Sequence, residues 1–514
     1  MKHTSLPQAG SNAGTPAARG IHLAFPLLFA LLTLAGCSLA PAYERPNVAA
    51  PATFKEAITD AHWKTAEPAE ANTRGEWWQV FGDPFLNDLE TRAAAANQDI
   101  QAGAARLLQA RTQVQSARSE YFPQIGVGAG PTRQRPSPAS QGLAPDAGTE
   151  AFTLWRAQTT VAYEPDLFGR VRNNVDAATA TREQSEALYR SLQLAIQADV
   201  AQTYFTLREL DAVSALYADT VKLREQSTKL FQRRFDEGDI SELELAQSRT
   251  ELAQARSEAL GVARQRAVAE HSLAILLGKA PADFSVAPTP LAQVDLRIPA
   301  GMPSALLERR PDIAAAERAM AAANARIGSA RAAFFPRLNL TGSFGFESAD
   351  LSDLFKWSSR TFAAGPLVGT ALSLPLFDGG ARRAGVDLAK GAYAEQVANY
   401  RQTVLRAFKE VEDDLAQLRL LQDQLLAQND AVGSAQRSSN LSKIQYREGS
   451  VSYINVMDSD RSVLQQQRSA IQLEAERART TVDLIRALGG GWGDALSAPP
   501  AASSAQPEKL SRRD

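Results

Sequence analysis

Residues 329–346 read SARAAFFPRLNLTGSFGF, and the change of period inside this stretch decides the fold. Up to Ala333 the composition is Ala and Arg, good helix formers. Pro336 then removes a backbone donor and biases Phe335 toward an extended conformation, so the helix must end here. Beyond it Leu338, Leu340, Phe344 and Phe346 alternate with Asn339, Thr341, Ser343 and Gly345, giving one oily face and one small, polar face. The alternation predicts a strand over 337–346. VGTALSL (368–374) alternates in the same way and predicts a second strand over 362–374. A strand of about ten residues with one oily and one polar face is the unit of a transmembrane β-barrel, and the strands of a soluble sandwich alternate in the same way. No run of about 18 residues after Cys37 is continuously apolar, so a spanning structure must be such a barrel.

The junction occurs twice. SARSEYFPQI (116–125), with Pro123, precedes SARAAFFPRL (329–338), and the same correspondence links NQDI (97–100) to RPDI (310–313), DLFGRVR (166–172) to PLFDGGAR (375–382), and LLG (276–278) to ALG (487–489). Two repeats are therefore expected, 84–278 and 303–489, each running helix, strand, loop, strand, very long helix, turn, helix. First-repeat strands are placed near 124–130 and 152–164, with Trp155 and Tyr163 as candidate interfacial aromatics and a mobile loop over 131–151. Gly169, Gly379 and Gly380 permit the bends back into helix.

Ile196, Val200, Leu207, Leu210, Tyr217 and Val221 follow a 4-3 spacing, as do Val404, Phe408, Val411, Leu415, Leu418 and Leu425 with Gln422 filling the remaining site. A helix over 170–232 would reach roughly 90 Å. RFDEGDISELELAQSRT (234–250) and QYREGSVSYINVMDSDR (445–461) punctuate the two helix pairs, with turns placed at about 233–244 and 446–457. Gly238 and Gly449 suit a tight reversal, while Ser241 and Ser452 stand where a hydroxyl can cap the next helix. Ile454 and Asp458, four apart, share a helical face.

Composition narrows the function. The 514 residues carry a net charge of −2, which disfavours a nucleic-acid partner. His3 and His22 lie in the leader and His62 and His271 stand alone, with no nucleophile elbow, Walker loop or His/Cys metal cluster, so neither an enzyme nor a resident cofactor or metal is expected. Lys2 and Arg19 precede the apolar run LAFPLLFALLTLAG, a signal-peptide core over 1–36 that ends at the single cysteine, Cys37. LAGC matches the lipobox of bacterial lipoproteins, which implies cleavage before Cys37 and a covalent lipid there, diacylglycerol and an N-acyl chain. Ser38 favours outer-membrane sorting by the same resemblance. Residues 37–83 then form a lipid-anchored segment and, with 279–302, a collar; 490–514 reads as a disordered tail.

Four strands cannot close a membrane barrel, because the smallest use about eight, so copies must share one. The lipobox, the doubled SAR-x-x-x-F-P, DLFGR and LFDGG, ERRPDI (308–313) and the doubled turn together resemble the outer-membrane efflux protein family of TolC and OprM, in its lipoprotein NodT-like branch. The resemblance covers nearly the whole chain after Cys37. It implies a mainly α protein with a transmembrane β portion: a homotrimer with a twelve-stranded barrel, a long periplasmic α-helical barrel and a mixed α/β equatorial collar. It also implies an exit duct for drugs or other toxic small molecules, coupled to a periplasmic adaptor and an inner-membrane RND-type transporter. Aligned on the second turn, Ile454 and Asp458 match the family's apolar and acidic rings at the pore entrance, and Tyr446 matches a tyrosine that ties neighbouring helices shut. Glu244 stands where relatives often carry Asp. The alternative is a lipid-anchored periplasmic coiled-coil scaffold or adaptor without a pore, which leaves the oily strands unexplained.

Overall fold

The structure, a computed structural model, describes residues 39–46, 50–51, 53–56, 76–291, 309–365 and 372–490. The first half runs α1 (Pro84–Ala96), α2 (Gln98–Ser119), β1 (Gln124–Gln134), β2 (Phe152–Tyr163), α3 (Arg170–Asp236) and α4 (Glu242–Leu276). The second runs α5 (Pro311–Ala332), β3 (Arg337–Leu338), β4 (Leu340–Ser348), β5 (Arg360–Gly365), β6 (Leu372–Ser373), α6 (Ala381–Arg447) and α7 (Tyr453–Ala487). Corresponding helices have equal lengths: 22 residues for α2 and α5, 67 for α3 and α6, 35 for α4 and α7. The chain divides into two compact units, one containing 110–182 and 319–396 with the stretch ending at Glu44, the other containing 45–109, 183–318 and the residues from Val397 on.

The first of these units contains the strands. β1, β2, β4 and β5 form one antiparallel sheet in that order, while β3 and β6 pair separately. Each return to helix is started by an aspartate from the motif preceding it. Asp166 Oδ2 accepts from the Arg172 amide at 2.7 Å, and Asp378 accepts from the amides of Gly380 at 3.0 Å and Arg382 at 3.2 Å. Gly169, Gly379 and Gly380 have φ of 73°, 63° and 93°, a region open to glycine at little cost. Pro123 and Pro336 stand directly before β1 and β3, each after one turn of irregular chain that follows the helix. Phe168 stacks on Phe335 at 4.8 Å, joining the two junctions.

Two sequence expectations change here, and a third is seen only at its ends. β1 continues to Gln134 rather than stopping at 130, because it is an edge strand and Pro131 can sit where no ladder donor is required. The strand expected over 337–346 breaks at Asn339, so that Arg337 and Leu338 pair with β6 and the remainder with β2 and β5. Of the strand expected over 362–374, β5 and β6 occupy the ends and 366–371 lie outside the described residues. Cys37, most of 57–83, residues 292–308 and the tail from 491 also lie outside them.

The other unit is built around a core in which Trp77, Trp78, Leu86 and Leu89 pack with Val200, Leu207 and Leu210 of α3, Leu273 of α4, and Val482 and Ile485 of α7. The repeated NQDI/LLG and RPDI/ALG motifs are two versions of one closure. Asn97 donates to the Leu276 carbonyl at 2.9 Å and Arg310 to the Ala487 carbonyl at 3.0 Å. Gly278 and Gly489, at φ of 66° and 90°, lie so close to Ala96 and Arg309 that an added Cβ would press on their carbonyl oxygens. The α6 series also needs one correction: Leu421 is buried and Gln422 exposed. A strict 4-3 repeat drifts against a 3.6-residue helix, and the buried stripe recovers by a three-residue step from Leu418 to Leu421.

Candidate functional site at the helical turns and on the sheet

The two turns share a backbone and differ in chemistry. Gly238 and Gly449 have φ of 80° and 74° with open space around them, so each is needed for conformation rather than for room. Their amides bond back to Phe235 and Tyr446, closing helices α3 and α6. At the start of α4 Ser241 and Glu244 form a capping box: the Ser241 hydroxyl accepts from the Glu244 amide, and the Glu244 carboxylate accepts from the Ser241 amide at 3.1 Å. Ser452 occupies the equivalent place before α7, but its hydroxyl makes no cap bond. The residue three positions on is Asn455, not Glu, so the reciprocal half of the box is missing, and the first turn of α7 is held by packing instead.

That packing is a small aromatic core. Tyr453 is buried against Phe231 at 4.3 Å and Tyr446 at 5.5 Å, with Leu245, Val456 and Met457 completing the cluster. The Tyr446 hydroxyl accepts from Arg234 of α3 at 3.4 Å. Ile454 and Asp458 are both exposed, at 45% for the whole Ile454 residue and 60% for the Asp458 side chain. Asp458 is paired with Arg461 one turn further on, at 2.9 Å.

Behind this face lies a buried charge network absent from the sequence reading. Glu251 of α4 accepts from Arg461 at 2.9 Å and lies 3.8 Å from Arg224 of α3. Arg224 also approaches Asp460 of α7 at 3.6 Å, and Asp460 accepts from Ser439 at 2.6 Å and forms an ion pair with Lys443 at 2.8 Å, both on α6. Four helices meet in this network; Arg224 and Glu251 at its centre are buried and Asp460 largely so, which makes separating them costly, while Arg461 and Lys443 reach them from the solvent side. A signal for it was present. Continuing the α3 series past Val221 lands on Arg224, Thr228 and Phe231, and a cation at a core position requires partners.

On the sheet, register sorts the side chains. Val127, Thr159, Phe344 and Phe362 lie directly opposite one another across four strands and share one face. Ile125, Val127, Phe344 and Phe362 of that face are all exposed. Trp155 and Tyr163 stand on the same face eight residues apart, about 26 Å along a strand. That spacing fits the apolar band and aromatic girdles of a membrane barrel, about 25 Å tall. The other face carries Gly126, Thr160, Ser343 and Ala363 in one row and Gly128, Gln158, Gly345 and Thr361 in the next.

Comparison with known proteins agrees with this geometry. The family described as Outer membrane efflux protein matches the chain twice, over residues 89–279 and 302–490. The antibiotic efflux pump outer membrane protein ArpC of Pseudomonas putida is 35% identical over 463 residues, covering 89% of this chain and 93% of that protein. Outer membrane protein OprJ of Pseudomonas aeruginosa is 34% identical over 475 residues, covering 91% and 96%. The crystal structure of the Campylobacter jejuni CmeC outer membrane channel superposes with a TM-score of 0.81 at 25% identity, covering 88% of this chain and 95% of that one. The chain belongs to the outer membrane efflux protein family, as its ordered motifs implied. It is an outer-membrane protein of efflux, and its largely helical fold is that of the family's channels.

Proposed function

We propose that three copies of the chain share one twelve-stranded barrel in the outer membrane, continued through the periplasm by the long helices, as the exit duct of a tripartite efflux pump for small toxic compounds. A periplasmic adaptor and an inner-membrane RND-type transporter load the duct. Cys37 carries the lipid that anchors each copy. The turns at Gly238 and Gly449 form the periplasmic entrance, where three Ile454 and three Asp458 side chains surround the axis. A ring of carboxylates repels itself and attracts cations, so it filters as well as constricts. Tyr446 adds an attachment between α6 and α3, and Glu244 serves the entrance by fixing the start of α4.

The observation that carries the reading is the sheet. Among the described residues it has two open edges, β1 and β5, and one face with exposed apolar side chains. An unpaired backbone group in hydrocarbon costs several kcal/mol, so the edges demand neighbours, and the oily face demands lipid. The test is purification of the full chain in detergent followed by reconstitution in planar bilayers. A trimeric mass and ion conductance are expected, with conductance raised by Asp458→Ala. A monomeric particle without conductance, as a lipid-anchored scaffold would give, overturns the reading.

A further inference from the structure

The polar face of the sheet contains one pair of charges. Among the described strand residues, Arg156 on β2 and Glu347 on β4 are the only ionisable side chains on that face, and they stand directly opposite each other. Arg156 Nε donates to Glu347 Oε2 at 2.8 Å. Alternation places Arg156 in line with Gln158 and Thr160 and opposite in sense to Trp155 and Ala157, so the pair projects away from the oily surface. The next strand over contributes Gly130, and a Cβ there would meet nothing within 4 Å, so the flank of the arginine is open.

Stability does not account for the pair. The side chains are 38% and 31% exposed, and ion pairs so open to solvent contribute little to folding. A single arginine or glutamate on this wall would instead impose a field on whatever moves past it, since a water-filled channel with low-dielectric walls focuses charge. We propose that Arg156 and Glu347 are a specificity determinant of the duct: a self-neutralised ring near the outer mouth that keeps this stretch of wall indifferent to the sign of its cargo's charge. The inference rests on the barrel reading above, which turns the polar face inward.

The test uses the full chain in planar bilayers across a potassium chloride gradient at about 0.1 M, where the screening length is about 10 Å. Glu347→Gln leaves the arginine unopposed and shifts the reversal potential toward anions. Arg156→Gln shifts it toward cations. The double variant returns to the wild-type value, and each single shift corresponds to a change in permeability ratio of up to roughly fivefold, one exposed ion pair's worth. Single variants that leave the reversal potential unchanged, or move it in the same direction, overturn the proposal. Asp458→Asn serves as the control: if it moves the reversal potential while the sheet variants do not, the duct stands and this assignment fails. A wild-type chain that does not conduct defeats the barrel reading itself.

Discussion

The turn between α3 and α4 and the turn between α6 and α7 have nearly the same backbone and opposite strategies. The first helix start is self-sufficient, since Ser241 and Glu244 satisfy each other's backbone amides and Glu242 and Glu244 place negative charge at the positive end of α4. The second has no side-chain cap and no acid in its first turn. Tyr453 replaces the cap by burying itself among residues of other helices. A helix end secured locally keeps its order whatever its neighbours do, whereas one secured by packing depends on them. The turn that carries Ile454 and Asp458 is the dependent one, which suits the entrance proposed above.

Tyr453→Ala is the strongest way to break this contrast. Losing a buried aromatic should cost about 3 kcal/mol, with the first turns of α7 exchanging amide hydrogens faster while α4 stays protected. Equal loss at both helices would mean that the turns are one cooperative unit. Next comes Asp414 of α6, whose counterpart in α3 at the same offset is Thr203. Burial, and then the neighbouring Asp483, push the Asp414 carboxyl up from 3.8 to about 7. The folded chain therefore retains a proton that the unfolded chain releases between about pH 4 and pH 7, so stability falls as pH rises through that window and levels off above it. Asp414→Asn should flatten this dependence and raise stability at pH 8 by on the order of 1–2 kcal/mol after screening, read from melting at a series of pH values. Thr203→Val should leave the slope unchanged.

The two glycines sharpen the comparison by being alike. Gly238→Ala and Gly449→Ala each force a side chain into left-handed backbone with no clash nearby, and should cost about 1 kcal/mol each, equally. The serines separate the turns again at the smallest scale. Ser241→Ala should cost about 1 kcal/mol and Ser452→Ala only a few tenths, measured by denaturant melts or by exchange of the amides at the helix starts.

Much of the fold was legible because its period changes are abrupt. Pro336 followed by Leu340, Phe344 and Phe346 announces a strand in large residues, and the repeat doubles every signal. β1 was harder to bound: its polar face is written in Gly126, Gly128 and Gly130, and Pro131 looks like an end although it lies inside an edge strand. At the turns, glycine and serine spacing located the reversals, but a serine alone cannot say whether it caps. That depends on Glu244 in one copy and Asn455 in the other. The Arg224 network was hidden for a different reason: partners on four helices are far apart in sequence, and only the continuation of a core stripe onto a charged residue pointed to it.

The paired closures at Leu276 and Ala487 show how a doubled chain can diverge without losing what it inherited. An amide serves in one copy and a guanidinium in the other, both delivering one hydrogen to the same carbonyl position. Arginine has donors to spare, and Arg310 uses them on Asp312 and Glu410, each at 2.7 Å. The later half thus gained a hold on α6 that asparagine is too short and too poor in hydrogens to make. Exchanging the two residues would be an unequal trade. Asp99 and Asp199 stand at the repeat positions of Asp312 and Glu410, so an arginine at 97 would have acids at matching places but would lose the Asn97 oxygen that accepts from the amides of Asp99 and Ile100 at the start of α2. An asparagine at 310 would leave Asp312 and Glu410 both without their guanidinium.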